Sequence, residues 1–356
     1  MFNREKPLWL FVIITLTLVM MGSLAGCGGD DDELVLRYIA DELDSAKTAA
    51  PENGEKSGSG AAAQIIEATN SYLNTGKAPT ISVEDVYNNV IIGKDPSYQI
   101  LSIRKPEDYA RGHLQGAINV QFGQIYKQEN LDKLDKNKKI IVVCYTGHTA
   151  SYAAMFLNQL GYEAYAMKFG MMGWTSDSDV LALTPFTKAA DYPVETKVNT
   201  AEPTHDLPAI STGAKDAAGI VAARTGEYLT SGRAPTTSVE DVYNNAVVNK
   251  DSDYFILSIR RPEDYAKGHI PGAVNIPFAQ LAKEENLKKL PPDKKIIVVC
   301  YTGHTASYAA MFLNQLGYEA YAMKFSMMGW TSDSDVLALV PFTGAPGYPT
   351  VSGPNP

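Results

Sequence analysis

The sequence predicts an α/β protein made of two copies of one unit, each a mostly parallel sheet flanked by helices. The first observation is internal repetition: Cys144 recurs as Cys300, and residues 138–169 are identical to residues 294–325, 156 positions further along. The second is that short apolar runs alternate with helical patterns inside each copy, as in parallel sheets built from strand–helix units. A unit of about 130 residues is too long for a solenoid repeat, which indicates a duplicated domain.

Within the first copy, the apolar and β-branched runs predict four strands: Gln99–Ile103, Ala117–Val120, Lys139–Val143 and Glu163–Met167. Lys139–Val143 is continuous and β-branched, which is typical of a strand buried on both faces. It ends at Cys144.

The segments between these strands predict helices. Pro106 stands at a favoured first helical position. Phe122–Leu134 is predicted as a largely polar helix, Thr149–Leu160 as a helix closed by Gly161 in the left-handed conformation, and Trp174–Leu183 as the last helix.

Composition fits two globular domains. The chain has 356 residues, 45% of them apolar and 20% charged. The net charge of -9 and the lack of a basic cluster beyond the first residues argue against a nucleic-acid partner.

The N-terminus predicts export and lipid anchoring. Arg4 and Lys6 precede the apolar run Leu8–Met21, and the sequence before Cys27 resembles the bacterial lipobox, in which that cysteine is acylated after cleavage. The alternative is an uncleaved membrane anchor, but the run is shorter than the roughly 20 residues that a spanning helix needs. The protein would lie on a membrane surface of the cell envelope, on the periplasmic or cell-surface side, and Gly28 favours the outer membrane.

We therefore divide the chain into five segments. These are a signal peptide (1–26), a tether (27–60), a first domain (61–195), a linker (196–216) and a second domain (217–352).

Each repeated cysteine stands where a buried strand gives way to a loop and a helix. Backbone N–H groups at a helix start are unpaired and, with the helix dipole, favour an anion, so we expect a lowered cysteine pKa and a nucleophilic thiolate. Gly147 would let the loop curl with a positive φ. The alternative is a buried structural cysteine.

The segments Leu101–Val120 and Leu257–Ile276 resemble the rhodanese-family signature, a strand ending before Arg followed by Glu-Tyr and Gly-His-x-x-Gly-Ala-x-Asn. Cys144–Thr149 and its second copy resemble the family's six-residue active loop. The resemblance implies that each cysteine takes a sulfane sulfur from a small sulfur-containing anion as a persulfide and passes it to a thiol or cyanide-like acceptor. It implies no cofactor, and the lack of a Cys-x-x-Cys motif or a tight His cluster in the sequence argues against a metal site. The other loop residues and two arginines are the candidate substrate-binding set: Tyr145, Thr146, Gly147, His148, Thr149, Tyr301, Thr302, Gly303, His304, Thr305, Arg104 and Arg260.

Three departures from the family pattern matter. Ser102 and Ser258 replace the aspartate usual before x-Arg, which removes a partner from each arginine. The active loops lack the basic residues that favour thiosulfate in some members. Both repeats keep the cysteine, whereas two-domain relatives usually keep it only in the second domain.

Several alternatives remain open or are excluded. A Cys-x5-Arg phosphatase is excluded because Ala150 and Ala306 stand at the arginine positions. A persulfide carrier, a redox sensor or a protein acting on selenium or tellurium oxyanions stays open. His148 and His304 either bind an anion or face solvent.

Two structural expectations complete the sequence-based interpretation. His113 and His269 are expected to be hydrogen-bonded in the turn before a strand. Cys144 and Cys300 are expected to be free rather than joined in a disulfide, because each lies at the start of its own loop.

Overall fold

A computed structural model describes residues 60–355. The predicted signal peptide, the lipid-bearing Cys27 and all but the last residue of the tether lie outside them. Within the described part of the chain, no helix is long and apolar enough to cross a membrane.

Each repeat contains a five-stranded sheet in which all paired strands are parallel. The strand orders are β1-β5-β4-β2-β3 and β6-β10-β9-β7-β8. The strands are β1 (Thr80–Ile81), β2 (Tyr98–Ser102), β3 (Ile118–Asn119), β4 (Lys139–Val143), β5 (Glu163–Met167), β6 (Thr236–Thr237), β7 (Tyr254–Ser258), β8 (Val274–Asn275), β9 (Lys295–Val299) and β10 (Glu319–Met323). The predicted α/β class is confirmed.

The helices cover both faces of the sheets. Their bounds are α1 (Ala61–Leu73), α2 (Val83–Asp85), α3 (Pro106–Arg111), α4 (Gln128–Leu131), α5 (His148–Gln159), α6 (Gly170–Trp174), α7 (Ser178–Leu181), α8 (Ala217–Thr230), α9 (Val239–Val242), α10 (Pro262–Lys267), α11 (Glu284–Leu287), α12 (His304–Gln315), α13 (Ser326–Trp330) and α14 (Ser334–Leu337). Helices α2 and α9 continue as π-helical turns over Val86–Ile92 and Tyr243–Val248.

Two predicted helices are wrong in detail. Phe122–Leu134 contains only a 3₁₀ turn, Phe122–Gln124, and the one-turn α4. Trp174–Leu183 is not one helix either: α6 ends at Trp174, and a new helix starts because the Asp177 side chain accepts from the Asp179 N–H. Strand β4 and the left-handed Gly161 (φ 81°) are as predicted.

The two repeats share one hydrophobic core, which contains buried residues of both sheets and of α5 and α12. At its centre Gln159 and Gln315 exchange two amide hydrogen bonds of 2.8 Å, and each also donates to a threonine, Thr69 or Thr225, at 2.9 Å. The amides are thus satisfied inside an apolar interface, where an unpaired amide would be costly. The repeats therefore form one packed body around an approximate two-fold axis.

The last segment of each predicted domain packs on the other repeat. Tyr192, near the end of the first domain, stacks on Tyr243 with ring centroids 4.0 Å apart, and Tyr348, near the end of the second, stacks on Tyr87 at 4.0 Å. Main-chain pairs extend both contacts, Glu195 with His269 and Val351 with His113. We call residues 190–199 the linker arm and residues 346–355 the C-terminal arm.

Candidate active site

The cysteine of each repeat follows the central strand of its sheet. Gly147, the residue before α5, has φ 83° as predicted, and its N–H donates to Cys144 Sγ at 3.1 Å. In the second repeat Gly303 has φ 91° and donates to Cys300 Sγ at the same distance. A main-chain N–H aimed at sulfur at a helix start stabilises negative charge on that sulfur.

Both thiols are free and buried, with Cys144 1% and Cys300 2% exposed. The expectation that they form no disulfide is confirmed. Neither sulfur lies on the open surface, so a reactant must enter past the loop that covers it.

The short helix after β5 fixes the cysteine loop. Met171 and Met172 donate to the carbonyl oxygens of Cys144 and Tyr145 at 2.9 Å. A Cβ at Gly170 (φ 54°) would stand 2.5 Å from the Cys144 carbonyl oxygen, so this contact requires glycine in its present backbone position.

The equivalent residue in the second repeat is Ser326, which adopts φ 43°. Its hydroxyl accepts from the Cys300 N–H at 3.1 Å and donates to the Met323 carbonyl at 3.0 Å. The two cysteine loops are therefore not chemically identical. Sequence reasoning missed this residue, although position 170 is the one difference between residues 138–183 and 294–339.

Tyr145, the residue after Cys144, contacts Asp108 and Arg104. Its hydroxyl donates to Asp108 Oδ2, and its ring lies 5.2 Å from the Arg104 guanidinium. Burial, and then the hydrogen bond to Asp108, raises the pKa of Tyr145 to about 12. Tyr301 makes the equivalent contacts with Asp264 and Arg260.

The expectation that Arg104 and Arg260 bind substrate is not supported by their positions. Both are 0% exposed, and the Arg104 guanidinium donates to the backbone oxygens of Gly112, Asp108 and Val180. Arg260 makes the equivalent three bonds. These side chains brace the loops around the site.

Where the family pattern has an aspartate before x-Arg, each repeat has a serine, and both the serine and the arginine have an unsatisfied polar atom. Arg104 Nε and Ser102 Oγ are both buried without a hydrogen-bond partner among residues 60–355, as are Arg260 Nε and Ser258 Oγ. Burial lowers the pKa of Arg104, and the charges of Tyr145, Asp108 and Cys144 act in the opposite direction. The Cys144 sulfur thus lies within electrostatic reach of a guanidinium that no carboxylate pairs through Nε.

His148 and His304 were expected to bind an anion or to face solvent, and the solvent-facing alternative is wrong. Each is 1% exposed. His148 Nε2 accepts from the Phe325 N–H at 3.1 Å, and His304 Nε2 accepts from the Phe169 N–H at 3.0 Å. Burial, followed by the Lys324 charge, lowers the pKa of His148 to about 3, so the ring is neutral.

The remaining loop residues surround these histidines. Thr146 Oγ1 and Thr302 Oγ1 contact the Nδ1 atoms of His148 and His304 at 2.9 and 2.7 Å. Tyr145, Thr149, Tyr301 and Thr305 are half-buried. The turn histidines behave as expected, since the Nδ1 atoms of His113 and His269 lie 2.8 Å from the Tyr109 and Tyr265 carbonyl oxygens.

A cavity of about 360 Å³ opens beside the first loop. Loop residues, side chains of the first repeat and two residues of the second repeat line it together: Tyr145, Thr146, His148, Thr149, Lys105, Asp108, Ala182, Leu183, Thr236 and Lys324. The sequence could not show this, because Lys324 lies far from Cys144 along the chain.

Comparison with known proteins identifies the repeated unit. A family model for the rhodanese-like domain matches residues 83–177 and 239–333. The thiosulfate sulfurtransferase GlpE of Pseudoalteromonas translucida is 37% identical over 79 residues, which are 22% of this chain and 73% of that protein. A Bacillus subtilis protein named as a sulfur carrier, YrkF, is 28% identical over 107 residues, 30% of this chain, and the match spans only 56% of that relative.

Among solved structures, a thiosulfate sulfurtransferase from Pseudomonas aeruginosa aligns over 83% of this chain and 50% of its own. It has a TM-score of 0.29 and 19% sequence identity.

Proposed function

This chain belongs to the rhodanese-like family, and from that premise we propose that it is a sulfurtransferase in which Cys144 and Cys300 both carry sulfane sulfur. The donor is a small sulfur-containing anion, and the acceptor is a thiol or a cyanide-like nucleophile. The loops Tyr145–Thr149 and 301–305 contact the transferred sulfur through their backbone. Sulfur-transfer and sulfur-carrier names among the relatives support this class of chemistry.

One observation carries the proposal: in both repeats a glycine N–H at a helix start points at the cysteine sulfur at 3.1 Å. The same donor that stabilises a thiolate stabilises the terminal sulfur of a persulfide anion. A thiol that only filled the core would not need a positive-φ glycine to turn a main-chain donor toward it.

With thiosulfate as donor, the Cys144 thiolate attacks the outer sulfur. A bond from Sγ to that sulfur forms, the bond between the two thiosulfate sulfurs breaks, and sulfite leaves with the electron pair. Cyanide then attacks the outer sulfur of the persulfide, thiocyanate leaves, and the thiolate returns.

The test is cyanide-dependent thiocyanate production from thiosulfate by the full chain and by its cysteine variants. Cys144→Ser and Cys300→Ser are each expected to retain one working site, and the double variant none. Full activity in the double variant would refute the proposal.

Single-cysteine variants are needed to assign the modified residue. Trypsin releases the same peptide, residues 140–168 and 296–324, from both repeats, so its mass cannot tell Cys144 from Cys300.

A sulfur carrier without turnover is the second candidate, favoured by the near-complete burial of both sulfurs. A carrier would show a stable mass gain of one sulfur after exposure to the donor, but no thiocyanate formation. The same variants distinguish the two functions.

We also propose that residues 1–26 are removed and that Cys27 holds the protein on a membrane of the cell envelope through acyl chains. Metabolic labelling with a radioactive fatty acid is expected to mark the wild type and not Cys27→Ser. Equal labelling of both would remove this proposal.

A further inference from the structure

The cavity beside the Cys144 loop is built by both repeats. The first repeat supplies the loop and Lys105, and the second supplies Thr236 and Lys324. The first repeat therefore does not complete the cavity beside its own cysteine loop.

The cations at this cavity are not those that the sequence suggested. The loop itself carries no lysine or arginine between Cys144 and Thr149. Arg104 is occupied by three backbone oxygens, and the Asp108 carboxylate accepts from Tyr145 and pairs with Arg111 at 3.2 Å. Lys105 and Lys324 supply the positive charge of the cavity lining.

Backbone hydrogen bonds place Lys324, a residue of the second repeat, next to the Cys144 loop of the first repeat. It follows β10, its N–H donates to Thr237 at 2.9 Å, and the next residue, Phe325, donates to His148 Nε2 at 3.1 Å. The lysine is therefore one residue away from a direct bond to the loop that starts at Cys144.

The charge of Lys324 acts on that loop. After burial itself, it is the largest cause of the lowered pKa of His148. The relation is reciprocal: Phe169, the residue after the equivalent Lys168, donates its N–H to His304 Nε2 at 3.0 Å. Burial, then His148 and then Lys168 lower the pKa of His304.

We propose that Lys324 positions the anionic end of the donor at the Cys144 site and that Lys168 does so at the Cys300 site, each acting across the repeat interface. This inference rests on the proposed sulfur transfer and names its substrate class, a small dianion such as thiosulfate. The ammonium group attracts the dianion and stabilises the sulfite that leaves with the electron pair. The ammonium group also supplies the positive charge that the residues of the active loop lack.

The kinetic test uses the full chain with Cys300→Ser, so that Cys144 alone turns over. Lys324→Gln is expected to raise KM for thiosulfate roughly 10-fold or more, the usual worth of one charge-assisted hydrogen bond, while Lys324→Arg keeps most of the affinity. In the Cys144→Ser chain, the same rise is expected from Lys168→Gln. The matched control is Lys215→Gln, an exposed lysine distant in sequence from both loops, which should leave KM unchanged.

A second measurement does not depend on turnover. Iodoacetate carries a negative charge and iodoacetamide does not, so the ratio of their alkylation rates reports the charge around the thiol. Lys324→Gln is expected to lower this ratio several-fold at Cys144 relative to the Lys215→Gln chain.

The outcomes separate the two proposals. An unchanged KM and an unchanged alkylation ratio in Lys324→Gln would overturn the role of Lys324, even in an active protein. If no variant and no wild type forms thiocyanate, the sulfurtransferase proposal fails, and the alkylation ratio still decides whether Lys324 acts on the Cys144 site.

Discussion

The imidazole rings of His148 and His304 stack on each other, with centroids 5.1 Å apart and planes 14° apart. Each ring belongs to the first turn of the helix that follows a cysteine loop, and each accepts a main-chain bond from the opposite repeat. The two loops are therefore in contact at the approximate two-fold axis through these rings.

The first prediction concerns pH. Burial lowers the pKa of both histidines below the value in the unfolded chain, to about 3 for His148. As the pH falls, the two imidazoles therefore take up protons in the unfolded chain before they do so in the folded protein. Their contribution to the stability of the folded protein is complete above about pH 6.5 and is lost as the pH falls toward 3. The free energy of unfolding should decrease by up to about 1.4 kcal/mol per pH unit for each histidine.

Urea unfolding at about pH 7.5 and about pH 5 measures this slope. His148→Gln combined with His304→Gln should flatten it, since glutamine keeps an oxygen acceptor but takes up no proton. The pKa of His113 is also lowered by burial, so a residual slope of the same sign is expected. An undiminished slope in the double variant would mean that the stacked pair titrates as in the unfolded chain.

The second prediction concerns Ser102, whose hydroxyl, like Nε of Arg104 two residues later, is buried without a hydrogen-bond partner among the described residues. In Ser102→Asp the carboxylate should pair with Nε and neutralise the guanidinium, leaving less positive potential for the Cys144 thiolate. In the Cys300→Ser chain, alkylation of Cys144 near pH 7 should slow by roughly three- to tenfold. Iodoacetamide kinetics measure this directly.

Ser258→Asp provides the matched control. In the same Cys300→Ser chain it changes only the second repeat and should leave the alkylation rate of Cys144 as it was. A Ser102→Asp protein that reacts as fast as its parent would show that Arg104 does not influence the sulfur.

The third prediction concerns the buried amides of Gln159 and Gln315. Gln159→Leu removes both bonds between the two amides and leaves Gln315 only its bond to Thr225, which should cost about 1–3 kcal/mol of unfolding free energy. Gln159→Leu with Gln315→Leu removes both amides, so its cost should be well below twice that of the single change. Denaturant unfolding of the three proteins checks this, and strictly additive costs would contradict it.

The sequence was sufficient for features that depend on local chemistry. The continuous β-branched run predicts β4, and Gly147 predicts a tight loop, in which the structure directs the Gly147 N–H toward the Cys144 sulfur. Two short helices were merged into one because the break at Asp177 depends on a single cap. The helix Phe122–Leu134 was overpredicted because a polar segment without a clear apolar stripe has weak helical preference by itself.

What the sequence could not provide is the contact between repeats. Lys324 lines the cavity beside the Cys144 loop, and Phe325 bonds to His148, only because two similar sheets meet at an axis, and no spacing within one repeat encodes that. The solvent-facing alternative for His148 is wrong for the same reason, because its hydrogen-bond partner, Phe325, lies in the other repeat. Charge near a cysteine was sought in its own loop, while the fold brings it from the other repeat.

The last prediction follows from the exchanged arms. The C-terminal arm packs on the first repeat: Tyr348 stacks on Tyr87, its N–H donates to the Trp174 carbonyl at 2.9 Å, and Val351 pairs with His113. Ending the chain at Gly344 should therefore weaken the repeat that is remote in sequence, and leave the adjacent one largely intact. Hydrogen exchange should speed up around His113 and Trp174 of the first repeat more than around His269 and Trp330 of the second.

Tyr192→Ala is the matched change in the linker arm, and its effect should fall on the second repeat, since the Tyr192 ring stacks on Tyr243 and packs edge-on against Trp330. Tyr348→Ala should resemble the truncation, at a cost of about 1–3 kcal/mol for a lost aromatic contact. Peptides that include Gly170 or Ser326 differ in mass, so the two repeats can be followed separately in one experiment. Faster hydrogen exchange confined to the second repeat after truncation would show that each arm stabilises its own repeat. The packing of each arm on the opposite repeat would then not hold the repeats together.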